Sequence, residues 1–430
     1  MDQVKSIFPR AELMAVYVAY AFRYLYPLLL LPYYGRVLGA GGYGVVLAGM
    51  SLSNSIWLFV NFGFSTVGAR DAVQARDAGT RASILSDHLT ARLVLSLPGL
   101  IVGLIAIHFS LVFLHRPAVG CVVVFLGLLA AFNLGWYFTS TGRARTSVLI
   151  EVAGFSTSLA LIFGFVHRPS DLAYVFPLLL ISCATQLIIA YWLVRKEFSH
   201  LFSRLKDAIN LIRKSTTIFI YGGTSVLLIG ASTYILSMLA RESEVSAFGV
   251  AERLIAAGLS LMAPAAQILV PRVTHLVVTD PSRANRLTRQ IFAWFFAGAV
   301  CATLLTLTFA DWFIPLVFGH GFQQTAGVLK LMVFVFPVSV CTQVLGMYFL
   351  IPRKLERLLA RAGVVSAVVN IAVAVPLATH WGAMGMATAR LVGELTMLTV
   401  LVAGMHRSNL LSELFSVEPV GVPVHEFGEG

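Results

Sequence analysis

Four basic side chains, Arg23, Arg253, Lys330 and Arg390, fall inside long apolar runs, and a charge in such a place needs a purpose. Arginine at the centre of a bilayer costs about 2.5–3.5 kcal/mol on insertion scales, so it persists where it has a partner or a ligand. Arg23 has Tyr20 at i−3, Tyr24 beside it and Pro27 at i+4. A guanidinium on that polar-aromatic face can grip two oxygens of a phosphate or diphosphate at once. It can equally form an interhelical ion pair or cap carbonyls around Pro27. Arg253, Ser260 and Gln267 recur at sevens, and Ser51, Asn54, Asn61 and Ser65 share one side of another helix. Stripes of this kind line a wet cavity or glue helices together. Arg390 and Glu394 stand at i and i+4, where they can neutralise each other.

These residues define one candidate site, an anion site without catalytic groups. Arg23, Arg253 and Arg390 are its diphosphate-binding cations, and Tyr20, Tyr24, Asn54, Asn61, Ser260 and Gln267 its polar lining. Glu151, Glu252 and Glu394 are the candidates for ion coupling, because burial raises a carboxyl pKa and lets it trade protons. Glu252 adjoins Arg253 but points about 100° away around the helix, toward another partner. Cys121, Cys183, Cys301 and Cys341 all lie in apolar runs without metal-ligand spacing and read as packing thiols. No metal or cofactor is expected.

The elements that must position such a site are membrane spans. Only 12% of the 430 residues are charged and 58% are hydrophobic, and the mean hydropathy is +0.84. A soluble protein carries about 25% charged residues. With about 20 apolar residues needed per crossing, the chain predicts about twelve spans, near 12–34, 43–67, 89–109, 118–138, 147–167, 173–194, 216–240, 247–270, 290–310, 326–350, 361–379 and 383–405. Arg23 inside the first run, and no small-residue cleavage site before Leu38, make that run a span rather than a removable signal.

The formal charge of +11 does not point to nucleic acid, because the basic residues sit in short gaps between spans and form no basic domain. They do set orientation. Arg70, Arg76, Arg81, Arg92, Arg143, Arg145, the stretch Arg195 to Lys214, Arg272, Arg283, Arg286, Arg289 and Arg353 to Arg361 fall on one face. Arg36, Arg116, Arg168 and Arg241 fall on the other. Positive charge stays inside, so both termini are expected in the cytoplasm.

The basic connector from Arg195 to Lys214 divides the spans six and six. Its Phe198, Leu201, Phe202, Leu205, Ile209 and Ile212 recur at helical spacing and predict an amphipathic helix on the inner leaflet. Leu134-Gly135-Trp136-Tyr137-Phe138 and Leu345-Gly346-Met347-Tyr348-Phe349 end the fourth span of each half. Tyr43-Gly44-Val45 and Phe248-Gly249-Val250 open the second. A six-helix unit used twice in one orientation follows, with the substrate site between the copies. The division predicted is 1–194, a first lobe; 195–215, the basic linker; 216–405, a second lobe; and 406–430, an aperiodic cytoplasmic tail.

At this point the sequence resembles the polysaccharide transporter, or O-antigen flippase, family. Leu31-Pro32-Tyr33-Tyr34-Gly35-Arg36-Val37-Leu38-Gly39 followed by Tyr43-Gly44 is similar to that family's first loop. Trp136-Tyr137-Phe138 with Gly142 and Arg143, and Ala251-Glu252-Arg253-Leu254 with Pro271-Arg272, resemble its later motifs, and the match runs along nearly the whole chain. Gly142-Arg143-Ala144-Arg145 departs slightly from a common Gly-x-x-Lys or Arg, yet keeps the basic residue.

The resemblance implies the fold of the multidrug/oligosaccharidyl-lipid/polysaccharide flippase superfamily. That is an all-α membrane protein of two six-helix lobes, related by a pseudo-two-fold axis along the membrane normal, around a cavity that opens alternately to each side. It implies a bacterial inner-membrane protein that flips undecaprenyl-diphosphate-linked oligosaccharide for O-antigen, capsule or exopolysaccharide, beside a polysaccharide polymerase and a chain-length regulator. Two alternatives stay open. A multidrug exporter of the same fold wants an anionic cavity rather than central arginines. A membrane glycosyltransferase or polymerase wants acidic or histidine groups on a long outer loop, and the longest outer connector here is about Asp311 to Thr325.

Overall fold

The structure, a computed structural model, describes residues 10–219 and 230–415, with side chains for all of these except 10–25, 27, 28 and 413–415. Its regular elements are helices: α1 (Arg10–Asn61), α2 (Phe64–Gln74), α3 (Ala78–Phe109), α4 (Leu111–Leu114), α5 (Pro117–Ala130), α6 (Gly135–Ser140), α7 (Ala144–Phe165), α8 (Leu172–Val194), α9 (Leu205–Ile218) and α10 (Ser232–Leu239). They continue as α11 (Glu242–Ser260), α12 (Ala263–Thr279), α13 (Pro281–Phe318), α14 (Gln323–Met332), α15 (Val335–Val344), α16 (Glu356–Arg407) and α17 (Leu410–Phe415).

Nine helical stretches among the described residues are long and apolar enough to cross a membrane. Helices α1 and α16, each 52 residues long, run through two expected spans apiece, and a single glycine interrupts each: Gly39 at φ 68° and Gly382 at φ 53°. Only a residue without Cβ takes such angles at little cost. The expected span 216–240 includes residues 220–229, which lie outside the described residues, as do the first nine residues and the tail beyond 415.

The chain gathers into two compact units. The first joins residues 1–250, 311–328 and 375–386; the second joins 251–310, 329–374 and 387–430. In the first unit α1 packs on α5 and α7, α7 on α8, and α3 on α9. Close approach needs small residues: a Cβ on Gly127 of α5 would lie 3.0 Å from Ile56 Cβ on α1. Two buried clusters hold this unit's expected inner end, one of Leu85, Leu134, Tyr137, Phe138 and Val194, the other of Phe64, Val67, Ala91, Ala208 and Leu211. In the second unit Met262, Val273, Ile291, Val344 and Tyr348 form one cluster, and Phe349, Leu350, Leu401 and Met405 another. Leu97, Ile101, Val102 and Phe109 of α3 are exposed, a face for lipid rather than water.

One assignment needs correction. Arg92, placed by its sequence position on the cytoplasmic face, is 1% exposed and is the largest fully buried side chain among the described residues. Helix α3 starts at Ala78, well before the expected span, so Arg92 lies two turns or more inside it and faces α1 and α2.

Candidate functional site

Arg23, Tyr20 and Tyr24 lie within α1, but their side chains are outside the described ones. The segment that carries them packs on α7 through Tyr26, whose hydroxyl pairs with the Ser158 hydroxyl at 2.8 Å and whose ring stacks on Phe155. Asn54 is exposed. Asn61 is buried, and its side-chain oxygen accepts from Arg92 at 3.3 Å and from Ser65 at 2.8 Å. Glu151 shares a narrow cleft with Asn133, Ser147 and Gln186.

In the second unit the structure brings Ser260 and Gln267 together. Both line a cavity of about 650 Å³ with Gln343, Met347 and Tyr348, where the break between α11 and α12 faces the end of α15. Gln343 belongs to this set and carries no signal in the sequence beyond being an amide in a span. Arg253 and Glu252 are half-buried one residue apart on α11. Arg390 and Glu394 do pair, at 2.7 Å, and Glu394 also accepts from the Ser339 hydroxyl at 2.9 Å.

Arg92 is the polar residue that spacing did not single out. It has Asn61 as its side-chain hydrogen-bond partner and lies over Trp136 and Phe64, with its carbon 5.7 and 5.8 Å from the ring centroids. The Arg92 Nε, Trp136 Nε1 and His88 Nδ1 atoms have no hydrogen-bond partner. Ring faces and one amide therefore offset the charge in place of a carboxylate.

Within the first unit, segments from both halves of the sequence meet at the end expected outside. Arg36 donates to the carbonyls of Leu316 and Val317, the last turn of α13, at 2.5 and 3.0 Å. Those carbonyls lack helical donors and carry the negative end of the helix dipole. Arg116 forms an ion pair with Glu242. The Glu244 carboxylate accepts from Gln324 and from the backbone N–H of Ala383, at 2.7 Å, capping the helical run that restarts after Gly382. Gly44 permits this closeness, since a Cβ there would lie 2.8 Å from the Glu242 carbonyl carbon.

The repeated aromatic segments also do the same job twice. Tyr137 and Tyr348 are buried to 0% and 1%. Arg143 lies 5.1 Å over Phe138 and makes two bonds to Glu197, at 2.7 and 3.1 Å, while Arg353 lies 3.9 Å over Phe349 and donates to Asn285 at 2.7 Å. Tyr137 donates to the same Glu197 at 2.6 Å. Burial alone would raise the Glu197 carboxyl, but the bonds from Arg143 and Tyr137 and the nearby Arg81 charge outweigh it and hold it below its ordinary range.

Comparison with known proteins agrees with this architecture. The profile of the family described as polysaccharide biosynthesis protein matches residues 12–277. A Shigella dysenteriae protein assigned as an O-antigen transporter is 22% identical over 400 residues, covering 91% of this chain and 99% of its own. Among solved structures, a lipid II flippase in an inward closed conformation superposes with a TM-score of 0.71 at 12% identity, over 92% of this chain and 89% of its own. An inward-facing multidrug resistance transporter superposes at 0.67 and 17% identity, over 91% and 96%. The chain therefore belongs to the polysaccharide biosynthesis protein family, a polysaccharide transporter of the multidrug/oligosaccharidyl-lipid/polysaccharide flippase superfamily.

Proposed function

We propose that this protein flips undecaprenyl-diphosphate-linked oligosaccharide units from the inner to the outer leaflet of the bacterial inner membrane, by alternating access and without covalent chemistry. The substrate reading is carried by the match along 99% of the O-antigen transporter, whose name states its cargo class. The mechanism is supported by the outer-end contacts, Arg36 to Leu316 and Val317, Arg116 to Glu242 and Glu244 to Ala383. They are polar and few, hence breakable, and they close that end while a headgroup enters from the other.

In this reading Arg23 and Arg253 hold the diphosphate, and the prenyl chain stays in lipid. Arg390 joins them only by exchanging Glu394 for phosphate, and Glu394 is held by Arg390 and Ser339. Glu151, in its cleft, is then the carboxylate best placed for a coupling ion. Two lobes, 12–194 and 216–405, rock about the cavity to expose it on either side. A polymerase consumes the flipped unit.

The test is surface glycan per molecule of folded protein in a strain lacking the gene. Arg23→Ala should abolish export and accumulate precursor on the inner face at normal protein level, and Arg23→Lys should rescue in part, since a point charge lacks the bidentate fork. Full export per molecule in Arg23→Ala would remove that residue from the site. A deletion that leaves glycan intact but sensitises cells to cationic drugs would replace the flippase reading with the exporter.

A further inference from the structure

A second basic site stands at the expected cytoplasmic end of the first unit, apart from the residues assigned to transport. It is a pocket of about 540 Å³ between the first turn of α3, the end of α6 and the segment after α8. Its charged lining is Arg81, Arg143, Lys196 and Glu197, a surplus of two positive charges. Glu197 is committed to Arg143 and Tyr137. Asp77, beside the pocket, is spent capping α3, accepting from Thr80 N–H and hydroxyl at 2.7 Å each. Neither Arg81 nor Lys196 makes an ion pair among the described residues, and both are exposed.

What flanks the pocket says which anion it takes. Leu201, Phe202, Leu205 and Ile209 are 53%, 57%, 58% and 45% exposed, and they lie in the connector and α9, which do not span. Hydrocarbon thickness therefore does not account for them. Helix α9 buries Ala208, Leu211 and Ser215 against the bundle and leaves Leu205 and Ile209 outside. At the end of α8, Trp192 is 60% exposed with the Arg195 guanidinium 4.4 Å over its ring, an arrangement suited to the headgroup level. A free phosphate would need the cations alone. Cations ringed by exposed apolar anchors fit a phosphate that arrives with acyl chains attached.

We propose that this pocket is a binding site for the headgroup of an anionic phospholipid of the inner leaflet. Arg81 and Lys196 hold the phosphate, Arg143 is fixed in place by Glu197, and the acyl chains lie along Leu201 and Phe202. Such a lipid fastens the basic connector to the bilayer independently of any cargo.

The full-length protein, purified in detergent, would be titrated with phosphatidylglycerol, with phosphatidylcholine of the same chains, and with inorganic pyrophosphate, and bound species counted by native mass spectrometry. Wild type should prefer phosphatidylglycerol, and Arg81→Gln with Lys196→Gln should lower that affinity by roughly 30-fold, the factor two near-surface basic residues supply. The charge-matched control Arg283→Gln with Arg286→Gln should leave it unchanged. Leu201→Ser with Phe202→Ser should weaken phosphatidylglycerol binding too, although every charge remains. Equal retention of both lipids by wild type, or an unchanged preference in Arg81→Gln with Lys196→Gln, would overturn the proposal. So would pyrophosphate binding that depends on Arg81 and Lys196 while lipid binding ignores Leu201 and Phe202, because the site would then be one for free phosphate. None of these readouts involves glycan export, so failure here and failure of the flippase reading are separate results.

Discussion

Arg92 is a full charge enclosed by rings and one amide, and that arrangement fixes how substitutions at it should behave. Methionine keeps the length, removes a desolvated cation and leaves Asn61 still bonded to Ser65. We expect Arg92→Met to match wild type within about 1 kcal/mol or exceed it, since apolar replacement of buried charge is often neutral or better. Arg92→Ala opens a cavity and should cost about 2–5 kcal/mol. Thermal unfolding in detergent distinguishes the two, and equal damage from both would mean that the charge itself is needed. Glu197 makes a prediction with a sign. Its folded carboxyl is held below the ordinary range, so its stabilisation is complete above the unfolded value of about 4.3 and drains away as pH falls through the folded one. Glu197→Gln should therefore lower the melting temperature at pH 7 and flatten its fall between about pH 5 and pH 3. A variant that melts in parallel with wild type across that window would contradict the assignment. Residue types and spacing made the Arg390–Glu394 pair legible, because i,i+4 is a local rule. They could not reveal Arg92 or the Arg143–Glu197 pair, whose partners lie 31 and 54 residues away and depend on which helix faces which.

At the scale of elements, the glycines that break α1 and α16 look alike in sequence and differ in surroundings. A Cβ on Gly39 meets no atom within 4 Å, so Gly39→Ala should cost only the strain of a left-handed residue, about 1–2 kcal/mol. A Cβ on Gly382 would stand 2.9 Å from Glu244 Cδ, so Gly382→Ala adds displacement of the cap on Ala383 and should lower the melting temperature further. Equal losses would show that the Glu244 contact is incidental. The spans themselves were legible because hydropathy is local. The expected amphipathic helix is real but starts at Leu205 rather than Arg195, because Glu197 is drawn into the Arg143 pair and Phe198 packs on the cluster around Tyr137. Neither contact has a local signature.

For the whole molecule, orientation is the property on which every directional statement rests, and it can be read by chemistry. With Cys121, Cys183, Cys301 and Cys341 first replaced, single cysteines at exposed His115 and His320 should react with an impermeant maleimide on intact spheroplasts, while those at Lys206 and Arg286 should react only after lysis. Labelling of position 206 from outside would invert the topology. The outer-end ion pair adds a second measurement. Arg116→Glu and Glu242→Arg should each lower glycan export, and the double reversal should recover most of it if the pair is what closes that end. Recovery failing while both proteins accumulate normally would assign the residues some other task. The first unit has one more consequence, which concerns synthesis. Its residues 1–250 are joined by 311–328 and 375–386, so Arg36 waits some 280 residues for its acceptors and Glu244 waits 139 for Ala383. A ribosome halted anywhere before residue 311 leaves a membrane-embedded fragment whose outer end has bare donors and a bare carboxylate. Such fragments, from nonsense alleles or split expression, should be recognised and cleared by membrane proteases, and co-expressing the missing stretch should protect them.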